Sequence, residues 1–125
     1  LNFGHTFGHG FERAKNFSKK LNHGEAVLLG MLIASDLSHK KKQLSSNDLK
    51  LIKDHYKNLK LPMNIDKVFK KRDVSKIINF MQKDKKNLNK KIKLIILKNI
   101  GQATKPKNFM INSKEIKNFL NTYYY

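Results

Sequence analysis

Three histidines near the start of the chain have the residue type and the spacing of a metal site. His5 and His9 stand one helical turn apart in the run LNFGHTFGH, and His23 opens the apolar segment HGEAV. Residues at i and i+4 lie on one face of a helix. Imidazole is a favoured ligand of Zn²⁺, and a catalytic zinc leaves one coordination position open for substrate oxygens. The spacing indicates a helix-borne metal site, although paired histidines alone also occur on ordinary helix surfaces.

Three glycines lie in the segment that carries the paired histidines, at Gly4, Gly8 and Gly10. A glycine inside a helix costs about 1 kcal/mol relative to alanine. We expect this cost to be offset by the close approach of a backbone or a ligand. A helix of such poor propensity favours a functional site over a coincidence.

These residues, taken together with the segment MQKDKK at residues 81–86, resemble the 3-dehydroquinate synthase family. The resemblance covers residues 1 to about 119 but only the C-terminal domain of that enzyme. It implies a mainly α fold, a compact helical C-terminal domain of a two-domain sugar-phosphate cyclase, with one short extended stretch. It implies a metal- and substrate-binding domain at residues 1–120 and a tail at 121–125, with the N-terminal NAD-binding domain absent from this chain.

The resemblance also implies roles for the histidines and for one asparagine. His5 and His23 would bind the metal, Zn²⁺ or Co²⁺, and the third ligand would be a glutamate from the preceding part of the protein. His9 would be catalytic and contact the substrate near its phosphate or at a nearby hydroxyl, and Asn2 would donate a hydrogen bond to the same anionic group. The residues alone leave other interpretations open: His23 could cap the second helix, His5 could merely pack, and His9 could be an ordinary polar residue.

The lysines after Met81 form the second part of the resemblance. Asp84-Lys85-Lys86 matches a family motif in which a lysine reaches the phosphate end of the substrate. We expect Lys85 to be this catalytic and substrate-binding residue, with Lys86 as the alternative. A lysine run without such a motif usually marks a solvated face.

Two acidic residues could orient the histidines through hydrogen bonds. Glu12 or Glu25 could orient an imidazole, since a ligating histidine normally donates its other N–H to an acceptor.

Two positions depart from the family pattern. Gly10 stands where the family often has alanine, and Asn87-Leu88-Asn89 replaces a segment that contains a glycine. These departures concern loop geometry more than chemistry.

The reaction implied by the resemblance is the conversion of 3-deoxy-arabino-heptulosonate 7-phosphate to 3-dehydroquinate plus phosphate, in the shikimate pathway of aromatic amino-acid and chorismate biosynthesis. Such an enzyme is a carbon–oxygen lyase that uses zinc to polarise substrate hydroxyls and recycles its NAD⁺. The nucleotide-binding domain is outside this chain, so we expect the chain alone to be inactive. The resemblance further implies a cytoplasmic homodimer whose substrate is a phosphorylated sugar acid.

Three alternatives remain open from the sequence. Another sugar-phosphate cyclase would share the histidines, and a metal-dependent polyol dehydrogenase has a similar helical domain but lacks the Asp-Lys-Lys motif. A non-catalytic nucleic-acid-binding module is suggested by the net charge of +18 on 125 residues. However, only Arg13 and Arg72 are arginines, the lysines are scattered, and no nucleic-acid-binding motif is present. We therefore expect no specific nucleic-acid partner.

The rest of the composition narrows the class of protein. The chain has no cysteine and 39% hydrophobic residues, which suits a single reduced domain with a real core. The longest apolar run, residues 26–34, is far shorter than the roughly 20 residues that cross a bilayer, so we expect no membrane partner. Leu1 is not a methionine and falls inside a motif, so we expect further residues upstream.

Hydrophobic periodicity and capping residues predict five helices that must position these side chains. The second is apolar nearly all round and should be the central buried helix. The predicted helices span about 2–17 and 24–41, a third capped by Ser45 or Ser46 and ended by Pro62, a fourth from Asp73, and a last one with a capping box of Asn112 and Glu115. Residues 92–97 read as extended, and the terminal tyrosines as a frayed end.

Overall fold

The computed structural model describes residues 4–15, 21–84, 91–93, 97–99, 102–103 and 110–124. Within these ranges helices dominate, as predicted, and four short strands accompany them. The helices are α1 (His5–Ala14), α2 (His23–Lys40), α3 (Ser46–Asn58), α4 (Ile65–Val68), α5 (Val74–Asp84) and α6 (Ser113–Asn121), with a 3₁₀ turn at Lys71–Asp73. The strands are β1 (Lys91–Lys93), β2 (Leu97–Asn99), β3 (Gln102–Ala103) and β4 (Met110–Asn112).

Helix α2 is the central buried helix, as its composition predicts. Its N-terminus is fixed by a capping box in which the Asn22 side chain accepts from the Glu25 N–H at 2.8 Å and the Glu25 carboxylate accepts from the Asn22 N–H at 3.2 Å. Half of its side chains are buried against the other helices. The buried positions are Ala26, Leu29, Gly30, Leu32, Ile33, Ala34, Ser35, Leu37 and Ser38.

Helix α1 packs on α2 at backbone distance, because glycines line the contact. A Cβ on Gly30 would overlap the Gly4 carbonyl oxygen and lie 2.7 Å from the Gly8 nitrogen. Gly4 precedes α1 with a φ of 77°, which favours glycine, and it contacts Met31. Gly8 of α1 lies against Ala26 and Val27, which precede Met31 in α2, so the two helices run antiparallel. The expected compensation for poor helix propensity is therefore close backbone approach.

Helix α5 covers another side of α1. A Cβ on Gly10 would lie 2.8 Å from Met81 Cγ and 3.2 Å from the Ile77 carbonyl oxygen. A side chain at this position would therefore require Met81 and Ile77 to move. Glycine at this position allows α5 to pack closely on α1.

The remaining helix ends agree only partly with the predictions. Ser45 caps α3 by accepting from the Asp48 N–H at 3.1 Å, but α3 already ends at Asn58, before Pro62. Asn112 caps α6 by accepting from the Lys114 N–H at 2.8 Å. The predicted capping box is wrong, because Glu115 instead forms an ion pair with Lys41 at the end of α2. The single turn α4 was not predicted.

More extended structure is present than the one predicted stretch at 92–97. Strand β1 pairs antiparallel with β4, which places Ile92 opposite Ile111, and β2 pairs antiparallel with β3. Residues 94–96 lie outside the described ranges. The additional strands are two or three residues long, too short to show a period in the sequence.

The terminal tyrosines are part of the packed structure, so the prediction of a frayed end is wrong for Tyr123 and Tyr124. The Tyr123 hydroxyl donates to Asp36 Oδ2 at 2.5 Å, and the Tyr124 hydroxyl donates to the Phe69 carbonyl at 3.1 Å. Lys53 of α3 reaches the other oxygen of Asp36 at 3.0 Å. The carboxylate on α2 therefore joins the C-terminus to α3. Within the described residues, no helix has the length and apolarity to cross a membrane.

Replacement of Gly30 by alanine should destabilise the domain by about 2–3 kcal/mol, because the new methyl group overlaps the backbone of α1 and forces the two helices apart. Gly24→Ala is the matched control in the same helix, since a Cβ there meets only Asn22 Oδ1 at 3.5 Å. Urea unfolding followed by circular dichroism measures both variants. Equal stability of the Gly30 and Gly24 variants would contradict the proposed close contact.

Tyr123→Phe should lower stability by about 1–2 kcal/mol at neutral pH, because it removes the hydrogen bond to Asp36. Burial, followed by the charge and the hydrogen bond of Asp36, raises the pKa of Tyr123 above its ordinary value of 10.0. The hydroxyl's contribution is therefore complete below about pH 10 and is lost as the pH rises further. Urea unfolding at neutral and alkaline pH should show the variant's deficit narrowing with pH; a constant deficit would refute this account.

Candidate functional site

One face of α1 carries two of the three predicted site histidines together with an acidic residue. His5, His9 and Glu12 follow one another at i, i+4 and i+7, so they form a row along the helix. The imidazole rings of His5 and His9 stack with centroids 5.8 Å apart and an angle of 9° between their planes. All three residues are partly buried. The row is thus accessible but held against the domain.

His23 joins this row from the first turn of α2. Its Nδ1 lies 3.1 Å from Glu12 Oε2 and 3.2 Å from Glu12 Oε1. The antiparallel packing of the two helices makes this contact, because it brings the start of α2 to the end of α1. The His23 side chain is 67% exposed, whereas that of Glu12 is 13% exposed. The carboxylate therefore lies behind the imidazole, on the side of the core.

Two of the alternatives from the sequence can now be decided. His23 does not cap α2, because Asn22 does. Of the two glutamates that could orient an imidazole, Glu12 contacts His23, while Glu25 is used in the capping box with Asn22. Sequence analysis proposed both glutamates but could not choose which one contacts an imidazole, because this contact depends on how α1 and α2 pack.

The described residues do not form a complete metal site by themselves. No group of three or more His, Cys, Asp or Glu side chains with the geometry of a metal site occurs among them. The structure brings His5 to His9 and His23 to Glu12. The assignment of His5 and His23 as a ligand pair stays a prediction, as does the origin of a third ligand outside this chain.

The other predicted site residues have different outcomes. Asn2, Lys85 and Lys86 lie outside the described residues. Helix α5 ends at Asp84, about one turn after Met81. The Met81 side chain packs beside Gly10, the residue that follows His9 in the sequence. His39 and His55, to which the sequence assigns no role, lie elsewhere: His39 contacts the Leu44 carbonyl oxygen at 2.9 Å, and His55 is exposed on α3.

A recess that sequence analysis did not indicate lies between α5 and the start of α6. Its volume is about 590 Å³, and none of the three site histidines lines it. Its walls include Ser75, Asn79, Gln82, Asn112 and Lys114. These residues are ordinary surface types in the sequence, so no pattern could have singled them out.

Comparison with known proteins agrees with the motifs. A family model described as 3-dehydroquinate synthase C-terminal matches residues 1–87. The 3-dehydroquinate synthase of Pelagibacter ubique is 48% identical over 120 residues, which are 96% of this chain and 32% of that protein. The 3-dehydroquinate synthase of Acinetobacter baylyi is 38% identical over 109 residues, 87% of this chain and 29% of that protein.

A solved structure shares the fold. A crystal structure of 2-deoxy-scyllo-inosose synthase, complexed with carbaglucose-6-phosphate, NAD⁺ and Co²⁺, superposes with a TM-score of 0.72 at 22% identity, over 97% of this chain and 32% of that one. The chain thus spans about a third of the length of the relatives that it matches. With residues 1–87 matched and the histidine motifs in place, the chain belongs to the family of 3-dehydroquinate synthase C-terminal domains.

Proposed function

We propose that this chain is the metal- and substrate-binding part of a 3-dehydroquinate synthase, which converts 3-deoxy-arabino-heptulosonate 7-phosphate to 3-dehydroquinate and phosphate. The observation that carries the proposal is the family match over residues 1–87, which contains every predicted site residue of this chain. The relatives named 3-dehydroquinate synthase at 48% and 38% identity support the same activity.

The histidines at the contact between α1 and α2 fit a metal in their chemistry. Two imidazoles, those of His5 and His23, are the predicted ligands, and the second already has a carboxylate at its Nδ1. A bound Zn²⁺ or Co²⁺ would act as a Lewis acid on substrate oxygens. His5 and His23 would hold that ion from two helices whose spacing is fixed by the glycine contact.

The substrate's phosphate and carboxylate would be bound by neighbouring polar and basic groups. His9 stacks on His5, so it lies beside a predicted ligand and can hydrogen-bond a substrate oxygen. Asn2 would donate a hydrogen bond to the phosphate, and Lys85, with Lys86 as the alternative, would neutralise its charge as it leaves. The net charge of +18 attracts such an anion to the domain.

The remaining parts of the enzyme would come from outside this chain. The related cyclase structure holds NAD⁺, Co²⁺ and a sugar phosphate analogue in a chain about three times as long. We propose that NAD⁺ and the third metal ligand are bound by an N-terminal domain that accompanies this chain, and that the complete enzyme is a homodimer. A related cyclase with another sugar phosphate as substrate is the second candidate, because its fold is shared.

With two of the three proposed ligands, this chain should bind one Zn²⁺ or Co²⁺ weakly, and His5→Ala or His23→Ala should each weaken binding by at least about tenfold, since each removes a ligand. Titration in competition with a chromophoric chelator measures the affinity. His55→Ala, an exposed histidine on α3, is the control and should bind as the unchanged chain does. Binding unaffected by both His5→Ala and His23→Ala would contradict the ligand assignment.

A chimera that joins the N-terminal part of the Pelagibacter ubique relative to this chain should release phosphate from 3-deoxy-arabino-heptulosonate 7-phosphate in a metal-dependent reaction. His5→Ala in the chimera should lower the rate by about 100-fold or more, because the Lewis acid is lost. Phosphate release is measured beside cyclisation of sedoheptulose 7-phosphate and accumulation of NADH.

The three readings of this assay, together with a separate test of nucleic-acid binding, distinguish the candidate functions. Turnover of sedoheptulose 7-phosphate alone would assign the chain to another cyclase. Stoichiometric NADH would indicate a polyol dehydrogenase, because a synthase regenerates its NAD⁺ in each turnover. Salt-sensitive binding of nucleic acid that survives His5→Ala and His23→Ala, with no turnover, would favour the basic binding module.

A further inference from the structure

We infer that Glu12 is the positioning residue of the metal site: its carboxylate holds His23 as the Nδ1–H tautomer, with Nε2 directed to the metal. This inference rests on the proposed function, because it concerns the ligand set proposed there. It adds a specific residue and a specific proton to that set. Glu12 touches neither metal nor substrate in this scheme and acts only through His23.

The contact itself is the first step of the argument. Both oxygens of Glu12 lie within hydrogen-bonding distance of one nitrogen of His23, at 3.1 Å and 3.2 Å. An ionised carboxylate can only accept hydrogen bonds. Nδ1 must therefore carry the proton and donate it. In the neutral ring the lone pair then resides on Nε2, which is the nitrogen that can bind a metal.

The difference in exposure between Glu12 and His23 also supports Nε2 as the metal-binding nitrogen of His23. The Glu12 side chain is 13% exposed, and the His23 side chain is 67% exposed. An ion pair made for stability alone contributes little when one partner is so exposed. The same geometry suits a metal ligand, because the buried acceptor fixes the ring while the opposite edge of the ring stays accessible.

The contact is also imposed by the fold rather than by local sequence. Glu12 is in the last turn of α1 and His23 in the first turn of α2, and the two helices are held together at Gly4, Gly8 and Gly30. Glu25, the nearer acid in the sequence, is committed to the Asn22 backbone. Glu12 is therefore the described carboxylate that orients His23.

The experiment compares three variants of the full chain in two measurements. Nitrogen-15 shifts of the His23 ring in the metal-free protein at alkaline pH report which nitrogen carries the proton, and a chelator competition reports Zn²⁺ affinity. Glu12→Ala removes the acceptor. Glu12→Gln keeps an acceptor oxygen without its charge, and Glu115→Ala makes the same charge change as Glu12→Ala at the opposite end of α2.

We expect the Nδ1–H tautomer in the unchanged chain, in Glu115→Ala and in Glu12→Gln, and a shift toward Nε2–H in Glu12→Ala. Zn²⁺ affinity should fall about 10- to 100-fold in Glu12→Ala, less in Glu12→Gln, and not in Glu115→Ala. Circular dichroism confirms that each variant is folded.

Two results would overturn the inference, and a third would contradict the proposed function. A Glu12→Ala variant that keeps both the tautomer and the Zn²⁺ affinity of the unchanged chain would show that Glu12 does not position His23. An Nε2–H tautomer already present in the unchanged chain would do the same. Absence of Zn²⁺ binding by the Nδ1–H form, both in the chain alone and in a chimera that supplies the N-terminal part of the Pelagibacter ubique relative, would instead remove the metal site from the proposed function, and with it the role assigned to Glu12.

Discussion

The close contact between the backbones of α1 and α2 is the constraint on which the rest of the structure depends. Gly4, Gly8 and Gly30 allow the helices to approach until a single added methyl group would overlap the neighbouring backbone. Such interiors have no room to relax cheaply. The position of every histidine in the site follows from this contact, because His5 and His9 lie on one helix and His23 on the other.

The domain surrounds this helix pair with elements that stabilise it from outside. Helix α5 lies against Gly10, and the C-terminus returns to α2, where the Asp36 carboxylate accepts from Tyr123. The Tyr56 hydroxyl of α3 donates to the Leu28 carbonyl of α2 at 2.6 Å, and burial raises the pKa of Tyr56 to about 12. Polar contacts of this kind fix where each helix lies, while the apolar core supplies most of the driving force.

The site combines a closely packed support with an exposed imidazole. Glu12 and the glycine contact lie toward the core, whereas His23 presents most of its ring to solvent. The chain spans about a third of the length of its relatives, and the metal site proposed for it would be completed by groups from outside this chain.

The sequence by itself determined the helical class, the central position of α2, a serine cap at Ser45 or Ser46, the cap at Asn112, and the histidine motifs of the family. Each of these follows from local periodicity or from a short motif, which neighbouring residues specify. Only the tertiary structure decided between Glu12 and Glu25, paired β1 with β4, and packed Tyr123 against Asp36. Those contacts join residues far apart in the chain, and they form because buried surfaces fit together, which no local pattern records.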